Sequence, residues 1–223
     1  MRKIGLAFTV VAVLIFIGCG KENPTEPNTD NFTSVKLGIQ VWMNTNLDVD
    51  HYRNGDSIPE VRDPKEWEKL KTGAWCYYDN NPANGAIYGK LYNGYAINDP
   101  RGLAPKGWHI PKDEEWTRLE IYLGGADIAG GKMKSIGTVE DGTGLWHWSN
   151  WHATNESGFS AIPGGWRSNN STFYSMEYNA YWWSSTISDD NKITVRYIIF
   201  CSEASEKSNI ECNFGYAVRC IKD

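Results

Sequence analysis

Four short runs in the C-terminal half, Phe159 to Trp166, Ala180 to Thr186, Ile193 to Phe200 and Phe214 to Ile221, are aromatic and β-branched. Clusters of Gly, Asn, Asp and Ser separate them. Such side chains pack well on a pleated surface, and the intervening residues favour turns, so the runs predict antiparallel strands. Lys36 to Met43 adds a first strand or hairpin, with Gly38 at a tight turn.

Helices are expected earlier. Asp63-Pro64-Lys65-Glu66 is a helix start, with a capping side chain, a proline in the first turn and an acid three residues after the cap. Trp67 and Leu70 share its inner face, and it stops near Gly73. A second helix follows Pro111, with Asp113 to Glu115 at its positive end and Trp116, Leu119 and Leu123 on one face. Ile128 to Ser135 adds a further turn or two despite Gly130-Gly131. Helices early and strands late, without βαβ alternation, predict an α+β domain.

Ahead of this unit, Met1-Arg2-Lys3 precedes fourteen uncharged residues, Ile4 to Ile17, and then Gly18-Cys19. A basic start and a short apolar stretch describe an export signal, and a cysteine after a small residue predicts lipoprotein processing. Residues 1–18 are then the signal peptide and Cys19 the lipidated first residue. Residues 19–34 form the lipidated cysteine and a polar tether, of which Gly20 to Asn31 would reach about 35 Å at ~3 Å per residue. The expected location is the bacterial cell envelope, on the outer membrane, with the membrane a partner through the lipid.

Loss of Arg2 and Lys3 with the signal leaves 20 basic against 27 acidic side chains, a net charge of −7. Nucleic acid as a partner is not expected, since phosphate binding needs a clustered basic surface. The remaining cysteines, Cys76, Cys201, Cys212 and Cys220, suit an oxidising compartment. The polar segment Ser202 to Glu211 reads as a turn between strands, which favours Cys201–Cys212 and leaves Cys76–Cys220. The alternative is that one or more of these thiols is free and buried.

No catalytic residues are assigned, and an enzyme is not expected. Ala126 to Met133 resembles a phosphate loop but lacks its leading glycine and its metal-binding hydroxyl. Asp79-Asn80-Asn81 opens like a calcium loop, yet Asn84 replaces the turn glycine and Lys90 the final acid. No metal or cofactor is therefore expected, with a looser calcium site left open. His109 reads as a hydrogen-bonded structural histidine, and Glu114, Glu115 and Glu120 as a solvated helix face. Each of the eleven tryptophans reads first as core. The candidate exception is Trp146-His147-Trp148-Ser149-Asn150-Trp151-His152, whose tryptophans follow neither helix nor strand spacing. Trp146, Trp148 and Trp151 either fold inward or present flat faces to sugar rings, with Asn150 and Glu156 bonding hydroxyls.

Several phrases carry a resemblance: GIQVWMNTNLD (38–48), GAWCYYDN (73–80), YGKLYNGYA (88–96), APKGWHIPKDEEWTRLE (104–120), AGGKMKS (129–135), NESGFSAIPGGWR (155–167), YWWSST (181–186) and GYAVRCIKD (215–223). In this order they resemble the Fibrobacter succinogenes major paralogous domain, over residues 35–223. The resemblance implies a C-type-lectin-like fold, with short N-terminal helices, a twisted antiparallel sheet and long loops. It also implies a distant relation to formylglycine-generating enzymes. Ala104 and Asn84-Gly85-Ala86 stand where the family often has cysteines, so its disulfides do not carry over. Glu26-Pro27-Asn28, a triplet of calcium-dependent lectins, lies in the tether, and no reactive cysteine pair of the formylglycine kind occurs. The expected function is a lectin-like envelope module for glycans or a surface partner. The alternatives are an adhesive or structural surface protein without a small ligand and, further off, a formylglycine-type enzyme.

Overall fold

The structure, a computed structural model, describes residues 32–223. The signal peptide, Cys19 and the tether up to Asn31, with its Glu26-Pro27-Asn28 triplet, lie outside the described residues. The chain opens with β1 (Ser34–Leu37) and β2 (Gln40–Met43), then α1 (Pro64–Lys69) and β3 (Trp75–Cys76). Next come α2 (Pro82–Tyr88), β4 (Leu91–Asn93), α3 (Gly94–Ile97) and β5 (Trp108–His109). Two helices follow, α4 (Asp113–Tyr122) and α5 (Ala126–Met133). The rest is strand: β6 (Gly164–Arg167), β7 (Phe173–Met176), β8 (Asn179–Ile187), β9 (Ile193–Ile199), β10 (Ser205–Ile210), β11 (Gly215–Tyr216) and β12 (Ile221–Lys222).

The domain is mixed α and β, with sheet predominant. The strands form three antiparallel sheets where a single one was expected, in the orders β1-β2-β12-β5, β10-β9-β8 and β3-β4-β11-β6-β7. Local chemistry places the early elements as the sequence indicates. Gly38 takes a φ of 62° at the β1–β2 turn, a conformation that costs glycine nothing. Asp63 accepts a hydrogen bond from the Glu66 amide at 2.9 Å, capping α1 beneath the buried Trp67. Most of the Asp79–Lys90 stretch, opened like a calcium loop, is α2, which a short turn precedes and Asn81 caps.

Closure comes from the C-terminus. Ile221 lies opposite Trp42 on one side and His109 on the other, so β12 joins the N-terminal hairpin to β5. The Met43 amide donates to Cys220 O and the Leu47 amide to Val218 O, extending that seam. Eight tryptophans are buried, Trp166 is half-buried, and only Trp148 and Trp151 are exposed. Trp42, Trp116, Phe159 and Trp182 form one box, with ring centroids 4.7–5.9 Å apart.

Three expectations require correction. The segment Ser202 to Glu211 is not simply a turn, because six of its residues form β10. Its four central residues face solvent, which is why it is polar. The helix face is not uniformly solvated. Glu120 is buried against Arg196 at 2.6 Å, Glu115 bonds His109, and only Glu114 of the three is exposed. Finally, Cys76, Cys201, Cys212 and Cys220 are all free thiols.

The register of β9 and β10 explains why Cys201 and Cys212 are apart. Ser205 faces Ile198 and Ile210 faces Ile193, so Cys201 lies at the turn end of this hairpin and Cys212 beyond its other end. Six residues of strand separate them by roughly 20 Å, whereas a bridge needs Cα atoms within about 7 Å. Cys76 and Cys220 sit in different core clusters, with Trp67 and Leu91 around one and Met43 and Tyr92 in the cluster of the other. Replacing Cys201 and Cys212 together by serine is expected to shift stability by no more than about 1 kcal/mol, as for ordinary surface changes. Loss of about 3 kcal/mol in a denaturant melt, the value of a bridge over a loop of that size, would contradict the register.

Candidate functional site

The tryptophan-rich segment leaves α5 by way of a loop whose shape is set from within. Trp146 is fully buried, and its indole N–H donates to Ala161 O at 3.0 Å. Asn150 is buried too, with its amide donating to Ser135 O and Gly137 O, each at 2.9 Å. These two predicted ligand residues are therefore structural. Asp141 fastens the neighbouring turn by accepting from the Thr143 amide and hydroxyl, and these bonds hold its carboxyl down at about 2. With Trp146 and Asn150 held inward, Trp148 and Trp151 are left outside, 69% and 50% exposed.

A buried lysine ties this loop to the sheet. The Lys134 ammonium donates to Trp151 O at 2.7 Å and Ser202 O at 2.9 Å, with longer bonds to Phe200 O and Ile199 O. Burial pulls its pKa down to about 8. Trp151 also donates its amide to Phe200 O at 2.7 Å. The exposed tryptophan thus stands on a backbone anchored to the end of β9.

Beside Trp151 lies a dish of about 390 Å³, lined by Lys132, His152, Thr154, Glu156 and Glu203 among others. His152 stacks on Trp151, with centroids 4.9 Å apart and planes 23° apart. The imidazole Nδ1 contacts Glu203 at 2.5 Å, and Lys132 contacts Glu156 at 3.1 Å. The floor is shaped by the two glycines of the phosphate-loop lookalike. A Cβ on Gly130 would lie 2.3 Å from Ala204 O, and one on Gly131 would lie 2.7 Å from His152 O. Those glycines let α5 touch the loops on either side, and the segment is a helix with no phosphate cradle.

Of the five predicted ligand residues, Trp148, Trp151 and Glu156 therefore lie on the surface and Trp146 and Asn150 do not. Lys132, His152 and Glu203, which also line the dish, lie outside that set of five. Glu203 lies 51 positions beyond His152, a separation that no local pattern reveals.

Two other places bear chemistry. A cleft of about 560 Å³ is lined by Arg53, Leu103, His109, Lys112, Glu115 and Arg118 among others. His109 is held there by Asp223 at 2.7 Å and Glu115 at 3.0 Å, the structural role its sequence setting implied. On an open turn, Ser57 lies 3.2 Å from His51 Nε2, and His51 Nδ1 lies 2.5 Å from Asp50. All three residues are exposed and border neither cavity. Among the described residues, no group of three or more His, Cys, Asp and Glu side chains converges to hold a metal.

The family model described as Fibrobacter succinogenes major domain matches residues 35–222. No curated protein and no solved structure matches the chain.

Replacing Lys134 by Met removes the donor from Trp151 O and Ser202 O, while Phe200 O and Ile199 O keep the Trp151 and Ser202 amides, at a cost of about 2 kcal/mol or more. The expected outcome is a lower melting temperature together with faster amide exchange at Trp151 and Ser202. Unchanged exchange at both residues would show that the ammonium does not hold the loop.

Proposed function

The chain belongs to the Fibrobacter succinogenes major domain family, and on that premise we propose that it is a lipid-anchored envelope protein whose C-type-lectin-like domain binds glycans. The observation that carries this reading is the exposure of two indoles, Trp148 and Trp151, the second stacked on His152 at the edge of a dish that also holds Lys132, Thr154, Glu156 and Glu203. Eight of their counterparts are buried, so exposure of these two is not a shortage of core. Flat apolar faces complement the axial C–H faces of sugars, while the charged and hydroxyl groups around the dish complement sugar hydroxyls. The export signal and Cys19 supply the location, with attachment of the cysteine to the outer membrane.

Burial pushes the Cys76 thiol up to about 12 and raises Cys220 as well, the reverse of an activated nucleophile, so these two buried thiols do not support a formylglycine-type oxidation. A second reading, adhesion to a surface protein without a small ligand, draws on Ile136 and Val139, which are 61% and 41% exposed close to Trp148 in the chain.

Pull-down on insoluble polysaccharides tests the first reading. A Trp148→Ala, Trp151→Ala double variant is expected to lose at least about tenfold in affinity, or ~1.4 kcal/mol, while melting close to the parent. Equal binding by parent and variant would remove this face as the site. For the anchor, a Cys19→Ser chain is expected to appear in the soluble fraction of the envelope, and metabolic labelling with radioactive palmitate should mark the parent alone.

A further inference from the structure

The end of the domain that carries the β1–β2 turn is apolar and exposed, and we infer that it docks on the bilayer that holds the lipid at Cys19, as a second membrane contact. The inference rests on the lipid-anchor reading above and concerns a different surface from the Trp148 loop.

Ile39 stands in the two-residue tip of the hairpin, between the paired Leu37 and Gln40, and is 89% exposed. Such tips ordinarily carry Asn, Asp or Gly. Beside it, Ile121 and Tyr122 end α4 at 70% and 58% exposure. Trp116, Leu119 and Leu123 already supply the inner face of that helix, so neither side chain is needed for the core. Contact joins hairpin and helix into one surface. A Cβ on Gly38 would lie 3.0 Å from Tyr122 Cδ2, and Gln40 Nε2 donates to Glu115 O at 3.0 Å. Lys36 and Arg118 are exposed on the same hairpin and helix.

The path of the chain selects the membrane as the occupant. Twelve residues, Gly20 to Asn31, separate Cys19 from Phe32, a reach of about 35 Å. Phe32 packs edge-to-face on Trp108 with centroids 6.2 Å apart, and Thr33 O accepts from the Asn44 amide, which fixes the entry point at the base of the hairpin. From there to Ile39 is at most roughly 25 Å, at ~3.3 Å per residue. The tip therefore falls within reach of the bilayer while the lipid stays in it. Tethering raises the local concentration of membrane, so a few apolar side chains suffice where a free domain needs many. The isoleucines enter the acyl boundary, the Tyr122 hydroxyl stays among the headgroups, and Lys36 and Arg118 keep their charged ends in water.

The test takes the processed chain from bacterial membranes in detergent and returns it to phosphatidylethanolamine–phosphatidylglycerol vesicles that contain a phospholipid with a diazirine on its acyl chain. After illumination and trypsin, label is expected in residues 37–53 and 119–132 at a level at least about tenfold above residues 135–167, which carry Trp148 and Trp151. Tenfold is the scale of withdrawing one isoleucine from water. An Ile39→Ser, Ile121→Ser, Tyr122→Ser variant is expected to lose that label while melting like the parent. Label no higher in the two peptides than in residues 135–167, with acyl groups found on Cys19, would overturn the docking surface and leave the anchor standing. A parent chain whose Cys19 carries no acyl group would overturn both.

Discussion

Three cations lie inside this domain with no carboxylate partner among the described residues, and the loops are organised around them. Arg219 is fully buried, stacked over Phe159 at 4.3 Å and Trp182 at 5.5 Å, and donates to Phe159 O and to Asn46 Oδ1. Asn46 Oδ1 accepts from the Trp182 indole as well. One guanidinium therefore joins the segment after β2, the loop before β6, strand β8 and the C-terminal segment. Arg167 does the same between Trp67 and Phe173, donating to Val61 O and Arg62 O. Lys134 repeats the arrangement with four carbonyls. Burying a charge costs several kcal/mol, so such groups persist where backbone oxygens and ring faces replace the lost water. For loops that pass through the interior, the exchange is reciprocal: their carbonyls need donors as much as the cations need acceptors.

This division of labour explains what could be read from the chain. Helices α1 and α4 announce themselves because the cap, proline and apolar spacing are local. The hairpin at Gly38 and the long strands β8 and β9 are visible for the same reason. Strands β3, β4 and β5 hold two or three residues each, too few for any period to register. Strand β10 carries a solvent-facing sequence, Ser-Glu-Lys-Ser-Asn-Ile, and is a strand because β9 is beside it. Glu120 looks like a surface acid until Arg196, 76 residues later, arrives beside it. The bridge imagined for Cys201 failed on the same ground, since spacing along a chain carries no information about register.

The candidate site was legible in outline only. Three tryptophans in a loop without helical or strand spacing pointed to the segment that carries both exposed indoles, but not to which indole faces outward. That depended on acceptors elsewhere: Ala161 O draws Trp146 inward, while Ser135 O and Gly137 O take the Asn150 amide. The dish needed Glu203 from the β9–β10 turn and the close approach that Gly130 permits. The backbone beneath this surface is held by Lys134 and by the close packing at Gly130 and Gly131.

The seam between β12 and β2 has a consequence for when the chain can fold. Trp42 and Ile221 stand at opposite ends of the described sequence, so the sheet that begins the domain stays incomplete until almost the last residue is available. Pairings so distant in sequence make folding slow. If the chain is exported as proposed, a polypeptide that lingers as a strand-poor coil is the form a translocation channel can thread, and the stitch that closes the domain would also delay its locking.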